Sequence, residues 1–350
     1  MHMTKIYYRL GDGWITELTE AVLMKDIVDG TQAAAENAQI DSLSDDEVDH
    51  LFDICRSGDR LTSVQRGFEI VTTYDGPTIE IRHAGIIANR QQALQIFERC
   101  FGADTMEFSH VDYSYKPSKS VVHEDLPLFE QSQMLMVIPL FYGAMPNLGL
   151  YTYPDGPMPN PGDLLPLGKI KEAQESYEAA IEMAVNDMVY CASAFYEAGA
   201  DGINFDTVGA SGDPDFKAAL VASEKLKEKY PDICIEMGMA GEFVLGTHGE
   251  IMHHGTRLAG LYPHEQMEMA RKSGVTIFGP VVNTVPARTI PWNIARAVTM
   301  TKACVDRSEI PIHGNMGMGV GGLPTCETLP VDMVSMASRA MVEITRMDGL

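Results

Sequence analysis

Seven side chains in this sequence combine useful chemistry with a telling position, each at the end of an apolar run. They are Glu107 and His110 in "DTMEFSH", Asn204 and Asp206 in "GINFDT", Glu236 in "CIEMG", Asn283 in "GPVVNT" and Asn315 in "HGNMGMG". Carboxylates and carboxamides gathered at one opening can bind a cation or pass a proton as acid and base. Asp206 and Glu236 follow successive apolar runs, which makes them the leading pair. The plainer alternative for each residue is to satisfy a backbone group or to cap the helix that follows.

The stretch "GNMGMGVGGLPT" holds a G-x-G-x-x-G pattern at Gly317, Gly319 and Gly322. A dinucleotide fingerprint needs such glycines to open a helix directly. Here Pro324 and Pro330 intervene, and the next helix is predicted to begin only near Pro330 with Thr328 as its cap, which disfavours a nucleotide. No Gly-Lys-Ser/Thr follows, so the stretch is not a P-loop. Glycines here instead let a flat ligand or a second backbone approach closely; a plain flexible loop is the alternative. "HGEIMHHG" brings together His248, Glu250, His253 and His254, but the spacing departs from H-E-x-x-H, and Gly249 and Gly255 indicate a turn. A surface loop is the preferred reading and no metal site is expected. "GASGD" lacks the G-x-S-x-G frame of a nucleophile elbow. The chain is rich in acids and shows no evident nucleophile.

These residues are positioned by a repeating grammar that begins near residue 86: an amphipathic helix, a small or glycine stop, a short apolar run and a polar residue. "QQALQIFERCFGADTMEFSH", "YCASAFYEAGADGINFDT", "QMEMARKSGVTIFGP" and "VSMASRAMVEITRMDGL" all follow it. Gly102, Gly199 and Gly274 fall where a helix needs a left-handed residue after its last turn. With "MLMVIPLFYGA", "DICIEMG", "TRLAGLY" and "IPIHGN", the pattern gives about seven strands alternating with helices and an eighth just begun. Such alternation predicts an α/β fold with a parallel sheet and crossover helices. A count near eight favours a TIM-type (β/α)8 barrel over an open doubly wound sheet, and puts the strand-end polar residues at the barrel mouth. The closing "MDGL" stands where the last strand should start. The barrel is therefore expected to be incomplete at its C-terminus and to associate through its open edges as a homo-oligomer. Residues 1–85 read as a small N-terminal helical extension, in which "SDDE" forms a capping box of Ser44 and Glu47 and "FEIVTTYDGPTIEI" suggests a hairpin about its "DGP" turn. The expected division is 1–85 for the extension and 86–350 for the barrel.

Composition narrows the function classes. With 350 residues, 45% of them hydrophobic, the chain can bury a sizeable core. Lys and Arg total 26 against 49 Asp and Glu, a formal charge of -23. Such a surface repels phosphate backbones and anionic headgroups, so neither nucleic acid nor membrane is an expected partner. Six scattered cysteines without a C-x-x-C pair point away from a zinc ribbon or a disulfide scaffold and fit a reducing cytoplasm. No signal peptide or membrane-length apolar run is evident.

Several long stretches, "FGADTMEFSHVDYSYKP", "IPLFYGAMPNLGLYTYPDGP", "GADGINFDT", "EMGMAGEFVLGTHG", "FGPVVNT", "PWNIARAVT" and "NMGMGVGGLPTCETLP", together resemble the dimethylamine:corrinoid methyltransferases, nearly end to end. The resemblance implies a barrel enzyme of methylamine metabolism and methanogenesis whose reactive group is pyrrolysine, read from an in-frame amber codon. In that family the pyrrolysine lies shortly after an Asp-Gly-apolar stretch like Asp348-Gly349-Leu350. The chain is then expected to be truncated at that codon, and to be inactive alone. The resemblance also implies that dimethylamine adds to the pyrrolysine imine, that the Co(I) corrinoid of a cognate corrinoid protein takes the methyl, and that monomethylamine is released. The corrinoid rides on the partner, so no cofactor is expected to bind this chain directly. Within that mechanism Asp206 and Glu236 move protons and stabilise the cation, while Asn204, Glu107, His110, Asn283 and Asn315 bind or orient the substrate. The loop of Gly317, Gly319 and Gly322 faces the corrin. Two other readings compete: a pyrrolysine-free barrel methyltransferase closed by a second chain, and a non-catalytic product or module that binds the corrinoid protein.

Overall fold

The computed structural model describes residues 5–11, 13–57, 78–81, 86–89, 141–144, 148–246, 251–326 and 329–350. The chain divides into two compact units, Met1–Val111 with Pro280–Leu350, and Asp112–Gly279.

The first unit opens with an antiparallel hairpin of β1 (Lys5–Gly11) and β2 (Trp14–Thr19), in which Ile6 faces Leu18 and Tyr8 faces Thr16. Alternation buries Ile6 and Tyr8 and leaves Lys5, Tyr7 and Arg9 outside. Two buried positions make a weak signal, and the helical reading of the N-terminus passes over this hairpin. Thr19 then caps α1 (Glu20–Ala38), its Oγ1 accepting from Val22 N. At α2 (Asp45–Cys55) the predicted capping box is present: Glu47 N donates to Ser44 Oγ at 3.4 Å and Ser44 N donates to Glu47 Oε2 at 2.9 Å. β3 (Thr78–Ile81) pairs antiparallel with β4 (Ile86–Asn89), Thr78 facing Asn89. The second half of "FEIVTTYDGPTIEI" thus pairs forward along the chain, and its first half lies outside the described residues.

The second unit carries β5 (Phe141–Ala144), α3 (Ile170–Glu197), β6 (Gly202–Val208), α4 (Asp213–Lys229), β7 (Cys234–Met239), a small hairpin of β8 (Met252–His253) and β9 (Thr256–Arg257), α5 (Pro263–Lys272) and β10 (Ile277–Gly279). Its sheet has the order β10-β7-β6-β5, and every pairing is parallel. Each new strand joins on the same side after a crossover containing a helix, as the helix–strand grammar predicts. The fold is mixed α/β; among the described residues the sheet is open at four strands and no barrel closes. Gly199 and Gly274 do take left-handed φ values of +105° and +90° at the predicted helix–strand joints, while Gly102 lies outside the described residues. "TRLAGLY" is a correction: only Thr256–Arg257 is strand, and it pairs with β8 instead of entering the parallel sheet. The backbone then turns, Leu261 N reaching Leu258 O at 3.3 Å, around Gly260 at φ +89°.

Returning to the first unit, α6 (Ile290–Arg307) and α7 (Val331–Ala340) follow, the latter running into a π turn at Met341–Thr345. "IPIHGN" forms an isolated parallel bridge, His313 with Gly349, rather than a full strand. Gly314 N donates to Gly349 O at 2.9 Å and Asp348 N to Ile312 O at 3.0 Å, so "MDGL" does lie in a parallel pairing. Arg9 Nε holds Asp332 at 2.9 Å and ties β1 to α7. Among the described residues no helix is long and apolar enough to cross a membrane.

α1 packs on α6 at a point where Gly30 leaves no room for a side chain: a Cβ there would stand 2.4 Å from Trp292 O. Next to it, Thr299 Oγ1 donates to Thr31 Oγ1 at 2.8 Å, and Thr31 Oγ1 accepts from Leu43 N at 2.8 Å. Gly30→Ala should gain helix propensity yet lose more through the forced separation. The expected net loss is about 1–2 kcal/mol in urea unfolding, and an unchanged midpoint would refute the close approach.

Candidate active site

Parallel pairing of β6 and β7 sets Asn204 level with Glu236 and Phe205 level with Met237. Successive strand residues point to opposite faces. Ile203, Phe205, Ile235, Met237 and Phe278 are therefore fully buried on one face, and Asn204, Asp206, Glu236 and Gly238 share the other. Gly238 makes room for its neighbour, since a Cβ on it would lie 3.0 Å from Asp206 Oδ1. Asp206 Oδ1 also accepts from Thr207 N at 2.8 Å. Thr207 is left-handed at φ +58°, and the pairing of β6 with β7 slips between Phe205 and Val208. A bulge of this kind re-aims side chains at a strand's end.

The polar face is shielded. Glu236 is 3% exposed, and Asn204 and Asp206 are half-buried. Asn204 Oδ1 is buried and has no hydrogen-bond partner among the described residues. Such an acceptor costs about 1–3 kcal/mol until something donates to it. Two carboxylates beside an acceptor short of a donor suit a small cation that carries N–H groups. Loops at the strand ends are laced together, Ala240 N donating to Val208 O at 2.8 Å and Asp213 N to Leu245 O at 2.8 Å.

Asp215 was not among the sequence candidates. In "GDPDF" it reads as an ordinary acid of a helix's first turn, yet the fold buries it completely. Burial pushes its carboxyl up to about 7, against backbone N–H groups of Ser211, Gly209 and Ala210 that favour the ionised form.

The other sequence candidates lie elsewhere. Glu107 and His110 are outside the described residues. Asn283, Asn315 and the glycine loop belong to the first unit, where Asn283 is exposed and Asn315 half-buried. The glycine loop is held by backbone hydrogen bonds: Thr284 N donates to Gly319 O at 2.7 Å, Gly321 N to Val282 O at 3.0 Å, and Gly319 N to Pro324 O at 3.0 Å. No helix opens at Gly322, as the reading against a dinucleotide requires; the next begins at Val331. Gly322 is consumed by internal packing, because a Cβ on it would stand 2.7 Å from the Ile294 backbone, whereas a Cβ on Gly317 would have nothing within 4 Å among the described residues. Arg296, 4% exposed, sends Nη1 to Asn283 O at 3.3 Å and is a buried cation that sequence reasoning missed. Burial raises the Cys55 and Cys304 thiols, which keeps both protonated and unreactive.

Asp215 makes a pH prediction. Its folded pKa lies above its unfolded value, so the unfolded chain loses this proton first as pH rises. Stability from this group is greatest below about 4, falls between about 4 and 7, and levels off above that. Asp215→Asn should remove this decline, and its advantage over the parent in urea unfolding should grow with pH up to about 7, reaching at most roughly 4 kcal/mol. Parallel pH profiles for the two proteins would overturn the assignment.

A family model described as dimethylamine methyltransferase (Dimeth_PyL) matches residues 4–350. That match spans both units and includes every candidate named above. The chain belongs to the dimethylamine methyltransferase family, a family of methyl-transferring enzymes.

Proposed function

We propose that the chain transfers a methyl group from dimethylamine to the Co(I) corrinoid of a cognate corrinoid protein, releasing monomethylamine. The observation that carries this reading is the face shared by Asn204, Asp206 and Glu236, with its orphan acceptor. Protonated dimethylamine offers N–H donors to Asn204 Oδ1 and a positive charge to the carboxylates that share its face. Its nitrogen must lose a proton before it can act as a nucleophile. Glu236, buried at 3% exposure, is the acceptor for that proton. Asp206, held by Thr207 N, stays in place to stabilise the positive charge that makes an amine a good leaving group. Nitrogen would keep the bonding pair when the methyl departs as a cation equivalent, and cleavage of the bond it made to the electrophilic carbon, with the proton returned by Glu236, would release monomethylamine.

In this reading pyrrolysine supplies an electrophilic imine and the partner's corrinoid supplies a cobalt nucleophile. Asp348 and Gly349 pair with Ile312, His313 and Gly314, which sets the Asp-Gly-Leu stretch along the segment that leads to Asn315. Among the described residues nothing stands within 4 Å of where a Cβ on Gly317 would lie, and Met318 beside it is 58% exposed, which suits the approach of a flat macrocycle. The unreversed strand order with a helix in every crossover supports a (β/α)8 barrel as the full architecture.

The test uses full-length, pyrrolysine-bearing enzyme with reduced corrinoid protein, following corrinoid methylation by absorbance. Dimethylamine should be the preferred donor over mono- and trimethylamine. Glu236→Gln should slow transfer by about 10²–10⁴-fold, and Asn204→Ala should act mainly by raising KM. Wild-type rates in Glu236→Gln would remove it from the mechanism, while corrinoid-protein binding without turnover by the parent would favour a binding module.

A further inference from the structure

The tandem histidines of "IMHHG" are only half the surface loop that their spacing predicts. His253 is 6% exposed. β8 and β9 are joined by the two-residue turn His254–Gly255, both left-handed at φ +47° and +77°. This is the turn type that matches the twist of paired strands, and Asn or Asp is the usual first residue. Neighbouring side chains on a strand point to opposite faces. The left-handed turn cancels that divergence and folds His254 back beside His253, with ring centroids 4.1 Å apart. Both Nε2 atoms reach one oxygen of α4, Glu224 Oε1, at 2.9 Å for His253 and 2.5 Å for His254. Ser273 Oγ, at the end of α5, lies 2.9 Å from His253 Nε2 and 3.0 Å from the same glutamate oxygen.

We propose that Glu224, His253 and His254 form a binding site for one divalent cation of the zinc type. The ligand atoms of the three residues all lie within 4.8 Å of one another. Two imidazoles and a carboxylate are a donor set of borderline-soft metals; magnesium and calcium take oxygen ligands. Tetrahedral bonds of about 2.0–2.1 Å separate ligand atoms by roughly 3.3 Å. An ion therefore needs each Nε2–Oε1 gap to open by less than about 1 Å. His254, 58% exposed, can supply that movement, and its open side leaves the fourth position for water. Ser273 stays beside the carboxylate as a hydroxyl that orients it, the role outer groups play around metal ligands.

The full chain, stripped with chelator, would be titrated with zinc in competition with a chromophoric indicator and separately with cobalt(II). One zinc per chain and the visible cobalt bands of a tetrahedral site are expected. His254→Asn keeps a residue tolerant of the left-handed turn and removes one ligand; Glu224→Gln removes another. Each should weaken zinc by at least about tenfold, the minimum seen even for loss of an outer-sphere partner, and should leave far-UV circular dichroism unchanged. Zinc binding that is absent from the parent, or equal in the parent and both variants, would overturn the proposal and leave a hydrogen-bonded cluster.

Discussion

The candidate chemistry depends on one constraint, the register between β6 and β7. With Asn204 level with Glu236, all the acids face one way and all the large apolar side chains the other. A slip of one residue would send Glu236 into the helix-covered core and Met237 out to the polar face. Burial of Phe205, Met237 and Phe278 opposes that slip. On the other edge of β7, Thr276 Oγ1 accepts from Ile235 N at 2.8 Å while its own N–H donates to Ile235 O at 2.8 Å, fixing the start of β10 against β7. Electrostatics alone would drive Asp206 and Glu236 apart. It is the apolar reverse of the sheet that keeps them in one place.

The first unit is organised differently, by backbone approaching backbone. Gly30 lets α1 lie against the carbonyl of Trp292, and Gly322 lets the glycine loop lie against Ile294, so both sides of the start of α6 are in close contact. Asn293, 2% exposed, reinforces this end: its Oδ1 accepts from Val285 N at 2.7 Å, and its Nδ2 donates to Val285 O at 3.1 Å and Thr289 O at 2.8 Å. A buried carboxamide that meets its hydrogen-bonding needs within the loop serves structure, whereas Asn204 Oδ1 has no hydrogen-bond partner among the described residues.

Much of the polar face on β6 and β7 could be read from the chain. Left-handed glycines after helices marked Gly199 and Gly274, and the apolar runs after them marked β6 and β10. Polar residues in the β6 run and in the separate "DICIEMG" run of β7 gave Asn204, Asp206 and Glu236. Signals weaker than a full period were lost: the β1–β2 hairpin rests on two buried residues, and "TRLAGLY" looks like a strand because its apolar content hides the turn at Gly260. Asp215 and Arg296 escaped for another reason. Charged residues are normally exposed, and nothing local in "GDPDF" or "NIARAV" states that the surrounding fold excludes water.

What the sequence alone determined is the local grammar: where helices are capped and stopped, which strands follow, which polar groups end them, and a family likeness carried by long specific stretches. These depend on neighbours a few residues apart, whose sterics and hydrogen bonds are the same in any fold. Only the tertiary structure decided which distant groups meet. Glu224 comes 29 residues before His253, yet their atoms lie 2.9 Å apart because α4 and the β8–β9 hairpin pack together. Likewise the burial that raises Asp215 and strands an acceptor on Asn204 is a property of the packed sheet, since desolvation depends on every element that covers a group and on none of them singly.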